Sequence, residues 1–173
     1  PGVVMESEGL AVPKDMPGII TGRVHDAIVM PPPLNLNKLI KPDNTIFRVC
    51  QMFDGEMHRE TSIAFFNGYG VEVNVYRPGR PAWMEEEYLY LGKLVRILRE
   101  NSSVFYSQQW TPLIPTLKDS IWVNEWPSPQ KTLYTIFSLI PEGFDQPLFR
   151  AGSDTTAHWV SLYHHEEIEP VII

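Results

Sequence analysis

The sequence predicts an α/β region followed by an all-β module, and three observations carry that reading. Residues 63–66, Ile-Ala-Phe-Phe, are apolar without alternation, as a strand covered on both faces of a parallel sheet has to be. Within residues 82–100, Met84, Tyr88, Leu91, Val95 and Leu98 recur at helical spacing and line one face. After Ser102 the texture changes to short β-like runs separated by Pro, Gly and Asp, the pattern of an antiparallel sandwich. Two domains are therefore expected, residues 1–102 and 103–173.

Taken in order, Val3, Val4 and Met5 read as a short strand running into the acidic turn Glu6-Ser7-Glu8-Gly9. A chain that opens on Pro1 already strand-like is expected to be a fragment or a processed product. Residues 10–45 hold Pro13, Pro17, Pro31, Pro32, Pro33 and Pro42, too many breakers for a long helix. Residues 45–52 are rich in β-favouring side chains and form a second strand candidate, followed by a turn at Phe53-Asp54-Gly55-Glu56 and one helical turn at 57–61. The run 63–66 is then the key strand, ending in Asn67 and two glycines before the chain enters a helix. For the helix at 82–100, Pro81 suits its first turn, Glu85, Glu86 and Glu87 its positive end, and Arg96, Arg99 and Asn101 its other end. Strands are expected at 121–126, 131–140, 147–150 and 159–163.

Charge and composition exclude several functions. The net charge of -7 and pI near 5.2 come without any basic run, which argues against nucleic acid and against an anionic membrane surface as partners. No apolar stretch approaches the ~20 residues of a spanning helix. Cys50 is the single cysteine, so no internal disulfide forms; compartment stays open, a secreted or periplasmic one included. No phosphate-binding loop, nucleophile elbow or paired C-x-x-C motif occurs. The run His164-His165-Glu166-Glu167 is the one metal-like stretch. Neighbours in a strand point to opposite faces, so neither a metal site nor a cofactor is expected.

The order of Phe65-Phe66-Asn67-Gly68-Tyr69-Gly70-Val71-Glu72, a long amphipathic helix, Trp110-Thr111-Pro112, Trp126-Pro127, Lys131-Thr132-Leu133-Tyr134-Thr135-Ile136 and His165-Glu166-Glu167 resembles the carboxyl end of glycoside-hydrolase-like TIM-barrel proteins. The resemblance spans roughly residues 60–170. It implies the C-terminal portion of a (β/α)8 barrel, with 63–66 as its last strand and 82–100 as its last helix, followed by a small antiparallel β-sandwich. Eight βα units need ~250 residues, and only about 100 precede the β-module. Carbohydrate and the remaining barrel polypeptide, upstream or in a second chain, are thus the implied partners.

Glycosidases use two carboxyl groups, ~5–9.5 Å apart. Under the resemblance, Glu6 and Glu8 follow a strand, where barrel enzymes carry catalytic groups, and Glu72 supplies the second carboxylate, with Asp54 and Glu56 as its rivals. Asn67 offers an amide to a sugar hydroxyl, Tyr69 a ring face, and His25 and Asp54 further polar contacts. Plainer readings stand beside these: a solvated acidic turn, a turn-forming Asn-Gly and a surface loop histidine. A different class is also open, a non-catalytic carbohydrate-binding module that displays Trp122, Trp126 and Trp159 for stacking. A third is a degenerate barrel that has lost its reaction.

Overall fold

A computed structural model describes residues 2–9, 11–24, 30–43, 45–51, 57–74, 79, 82–152 and 157–171, with 45–51 described by their main chain. Strands β1 (Glu6–Glu8), β2 (Thr21–Val24), β3 (Thr45–Gln51) and β4 (Val71–Asn74) form one sheet in that order, every neighbouring pair parallel. Helix α1 (Asn37–Ile40) lies between β2 and β3, α2 (Met57–Phe66) between β3 and β4, and α3 (Met84–Glu100) and α4 (Ser102–Phe105) after β4. Among the described residues this sheet is open, with no closed barrel. The first strand lies just beyond its expected place, since Val3, Val4 and Met5 are exposed and pairing begins at Glu6.

The run 63–66 is not a strand. It is the last turn of α2, whose buried residues are Met57, Glu60, Thr61, Ile63, Ala64 and Phe66. Ala64 packs with Val24 and Tyr69 beside the parallel sheet, whereas Ile63 and Phe66 enter a second core with Trp126 and Phe137. A helix end buried on two sides has no polar face. Its apolar run loses the 3.6-residue period and becomes indistinguishable from a buried strand.

The glycine after it ends the helix. Gly68 has φ +76, its N–H donates to Phe65 O (2.9 Å), and the Tyr69 N–H donates to Ala64 O (3.1 Å). These two bonds with a left-handed glycine between them are the Schellman stop, completed by Tyr69 packing on Ala64. The chain then enters β4 rather than the helix expected after the glycines.

Helix α3 forms close to where its periodicity places it. Glu85, Glu86 and Glu87 occupy the first turn and Arg99 the last, each favourable to the helix dipole. At its end Asn101 donates through Nδ2 to Ile97 O (2.8 Å) and accepts from Lys131 Nζ.

Beyond it, β5 (Thr111–Ile114), β6 (Ile121–Pro127) and β7 (Thr132–Ser138) form an antiparallel sheet in sequence order, and β8 (Trp159–Ser161) pairs with β9 (Glu166–Ile168). The strand expected at 147–150 is reduced to one bridge, Phe149 to Thr116. The main core joins Leu34, Ile63 and Phe66 to Val104, Phe105, Trp110, Trp126 and Phe137, and so crosses the position of Ser102.

Candidate functional site

Alternation along the strands of the parallel sheet sorts its side chains into two faces. Val24, Val71 and Val73 pack toward Ala64 and Met57 of α2 and Met84 of α3. Their neighbours Arg23, Glu72 and Asn74 therefore belong to the opposite face. Register carries that face outward, since Glu6 stands beside Thr21 and Glu8 beside Arg23. The two valine clusters bring helices to one side of the sheet, and Arg23 and Glu72 lie on the other.

The centre of that face is an ion pair. Arg23 Nη2 donates to Glu72 Oε1 at 2.6 Å, across β3, with the two side chains about one-third exposed (30% and 32%). Glu6 and Glu8 are exposed at the edge of the sheet, and among the described residues neither makes an ion pair. Glu72 is thus bonded to the Arg23 guanidinium, and Glu8 stands next to Arg23 in register on the adjoining strand, while Asn74 of the same face is buried. Such a constellation can hold hydroxyl groups and move a proton to or from one of them.

The other expected site residues are deployed differently. Asn67 is fully buried; its Oδ1 accepts from the Asn35 N–H (2.7 Å), and its Nδ2 donates to Pro33 O (2.7 Å) and Ile63 O (2.8 Å). Both amide hydrogens are engaged, so the side chain clamps segment 33–35 to the end of α2. Tyr69 is 8% exposed and sits in the core beside Val24. His25, Asp54 and the rival Glu56 lie outside the described residues. His164 and His165 occupy the tight turn between β8 and β9, where the Ser161 hydroxyl meets His164 Nδ1 at 2.9 Å.

Residues that sequence reading passed over form the joint between the two sheets. Phe66 O, at the end of α2, accepts from Asn124 Nδ2 (2.9 Å) and from Thr135 Oγ1 (2.8 Å), while Trp126 Nε1 donates to Thr135 Oγ1 (3.0 Å). Asn124 and Thr135 sit inside otherwise apolar strands, where a polar side chain needs a partner; that is the signal the sequence offered. Lys38 is buried as well (5% exposed). Its Nζ donates to Phe105 O (3.3 Å) and lies 4.9 Å above the Trp126 ring. Burial pushes its ammonium down to about 8. Burial, then the hydrogen bond to Glu125, pushes the Tyr134 hydroxyl up to about 12.

Of the three tryptophans considered for stacking, Trp126 is fully buried against Trp110 (4.9 Å, near-parallel) and Trp122 packs on Phe137. Trp159 lies against Tyr134 at 5.5 Å. Among the described residues no helix is long and apolar enough to cross a membrane, and no three His, Cys, Asp or Glu side chains gather into a metal-sized group. Comparison with protein-family models, with curated proteins and with solved structures finds no match to this chain.

Proposed function

We propose that this chain is part of a carbohydrate-active barrel hydrolase, with the charged face of the parallel sheet as its site. The observation that carries the reading is the sheet itself: parallel strands in consecutive order, helices against one face, and Glu8, Arg23 and Glu72 on the other. Strands of a (β/α)8 barrel run in that order and turn one face inward. Trp126 supports the same reading over a binding module, because its ring lies in the core.

In this reading Glu8 and Glu72 act as the acid/base pair and Arg23 orients Glu72 through the bond to its Oε1. Three strand spacings and a two-residue offset in register put the two glutamates about 16 Å apart at Cα on a flat sheet. Side chains leaning toward each other leave room for an intervening water, the arrangement of an inverting enzyme, more easily than the ~5 Å of a retaining pair. The barrel is completed by polypeptide beyond the 173 residues, and the antiparallel strands form the appended β-sandwich.

The test is a screen of the native material, with any polypeptide that copurifies, against a panel of aryl glycosides of both anomeric types. Hydrolysis that falls 10²–10⁴-fold in both Glu8→Gln and Glu72→Gln is the expected result. Hydrolysis indifferent to both substitutions, or none on any substrate, overturns the reading.

A further inference from the structure

Helix α1 is turned inside out. Its lysine, Lys38, is buried over Trp126, while Leu36, Leu39 and Ile40 on and beside it are 64%, 52% and 57% exposed. The aliphatic surface does not stop at the helix. Asn37 Nδ2 donates to Ala11 O and Lys41 Nζ to Ile19 O, and the Ile20 N–H donates to Met5 O, so α1 is tied to the segments that carry Val12 and Ile20, and Ile20 in turn to Met5, all three more than 40% exposed. These side chains lie at the entry to β1 and β2. Among the described residues β1 has β2 as its sole strand neighbour, which leaves one edge of its main chain unpaired.

Exposed aliphatic side chains grouped on one short helix and the segments bonded to it mark a surface suited to a protein partner, and an open strand edge nearby suits another strand. Charge narrows the occupant. Glu6 and Glu8 stand on the edge strand, and opposite charges across neighbouring strands stabilise pairing while like charges oppose it. A second copy would set Glu6 and Glu8 of each chain near their counterparts, in a protein already at net charge -7.

We propose that a strand–helix unit from outside this 173-residue sequence adds in parallel to β1, with Lys or Arg facing Glu6 and Glu8 and an aliphatic helix face covering Leu36, Leu39 and Ile40. This rests on the barrel reading and specifies where the missing polypeptide attaches.

The test is photo-crosslinking in the protein expressed in its native host, with p-benzoylphenylalanine replacing Leu39, and replacing exposed Leu89 of α3 as control. The expected adduct at position 39 is a peptide from a strand–helix segment with a basic residue in its strand. Leu39→Glu, checked for an unchanged fold by circular dichroism, lowers the adduct formed from position 36 at least tenfold. Adducts joining two copies of this chain, or none above the Leu89 control, overturn the proposal. A specific adduct on a protein without glycosidase activity breaks the enzymatic reading alone. An active protein without the adduct breaks the docking alone.

Discussion

The two sheets of this protein solve the same problem to different extents. The antiparallel sheet is closed: Trp126, Val123 and Asn124 of β6 are fully buried, and the amide of Asn124 is matched on both sides, to Leu113 and to Phe66. The parallel sheet packs valines against helices on one face and turns Arg23, Glu72 and the edge glutamates to the other. A parallel sheet is ordinarily buried on both faces. The difference teaches that β5–β7 are held by what this chain supplies, while β1–β4 carry an ion pair and exposed edge glutamates on the face away from the helices. Helix α2 serves both, one side against each sheet.

The comparison predicts that substitutions in the closed region cost stability and those on the open face cost function. Trp126→Ala has the largest expected effect. It opens a cavity beside Phe105, Trp110 and Phe66 and removes the indole N–H from which the Thr135 hydroxyl accepts. A loss of about 4 kcal/mol is expected, read by chemical denaturation; a loss under about 1 kcal/mol would break the contrast.

Asn67→Ala follows. Asn35 N–H and Pro33 O lose their partner, at roughly 1 kcal/mol or more each, while Ile63 O keeps the main-chain N–H of residue 67, so a loss of about 2 kcal/mol is expected in the same assay. An Asn67 that acted on ligand alone would leave stability unchanged.

Gly68→Ala sharpens the picture at the joint. The residue has φ +76, and an added Cβ would lie 3.0 Å from the Phe105 and Trp126 rings. Left-handed strain plus that crowding is expected to cost about 2 kcal/mol, or roughly 4–8 °C in melting temperature for a chain of this size.

Lys38 gives the contrast a pH dependence. Its ordinary value of 10.5 falls to about 8 in the folded protein through burial. Between those values the unfolded chain holds the proton and the folded chain does not, so stability rises with pH across that window, by up to about 3 kcal/mol from this group. Lys38→Met keeps the length and removes the charge, and is expected to flatten the rise in denaturation midpoints measured between about pH 8 and pH 10. A slope unchanged by the substitution would remove Lys38 as its source.

The smallest stability effect is expected at the ion pair. Arg23 and Glu72 are each about one-third exposed, and such pairs contribute at most about 1 kcal/mol. Arg23→Met should therefore leave the melting temperature nearly unchanged.

The elements most legible in the sequence are those with one buried face. Helix α3 lies where its stripe of Met84, Leu91, Val95 and Leu98 places it, although its buried residues are Met84, Leu94 and Ile97 and the rest of the stripe is only half-buried, and β6 and β7 lie where their β-rich runs place them. The run 63–66 was misread because α2 ends between two cores, where periodicity vanishes. Asn67-Gly68 followed by Tyr69 was the corrective signal, since it suits a helix stop as well as a turn. The strand at 147–150 failed for another reason: Phe149 has its ring on Tyr134 and one bridge to Thr116, without a partner strand. For the proposed site, Glu72 and Glu8 are candidates on sequence grounds, but the Arg23 contact that joins β2 to β4 depends on which strands become neighbours. Local sequence does not encode that. The joint at Phe66 was hidden for the same cause, because Asn124 and Thr135 lie 58 and 69 positions from the carbonyl they share.

The most direct measurement is the rate of glycoside hydrolysis by the native material compared with its Glu72→Gln form, with the melting temperature of both recorded. The account predicts a fall of at least 100-fold in rate with the melting temperature shifted by no more than about 4 °C. Equal rates, or a loss of rate matched by unfolding, would contradict the assignment of the open sheet face as the site.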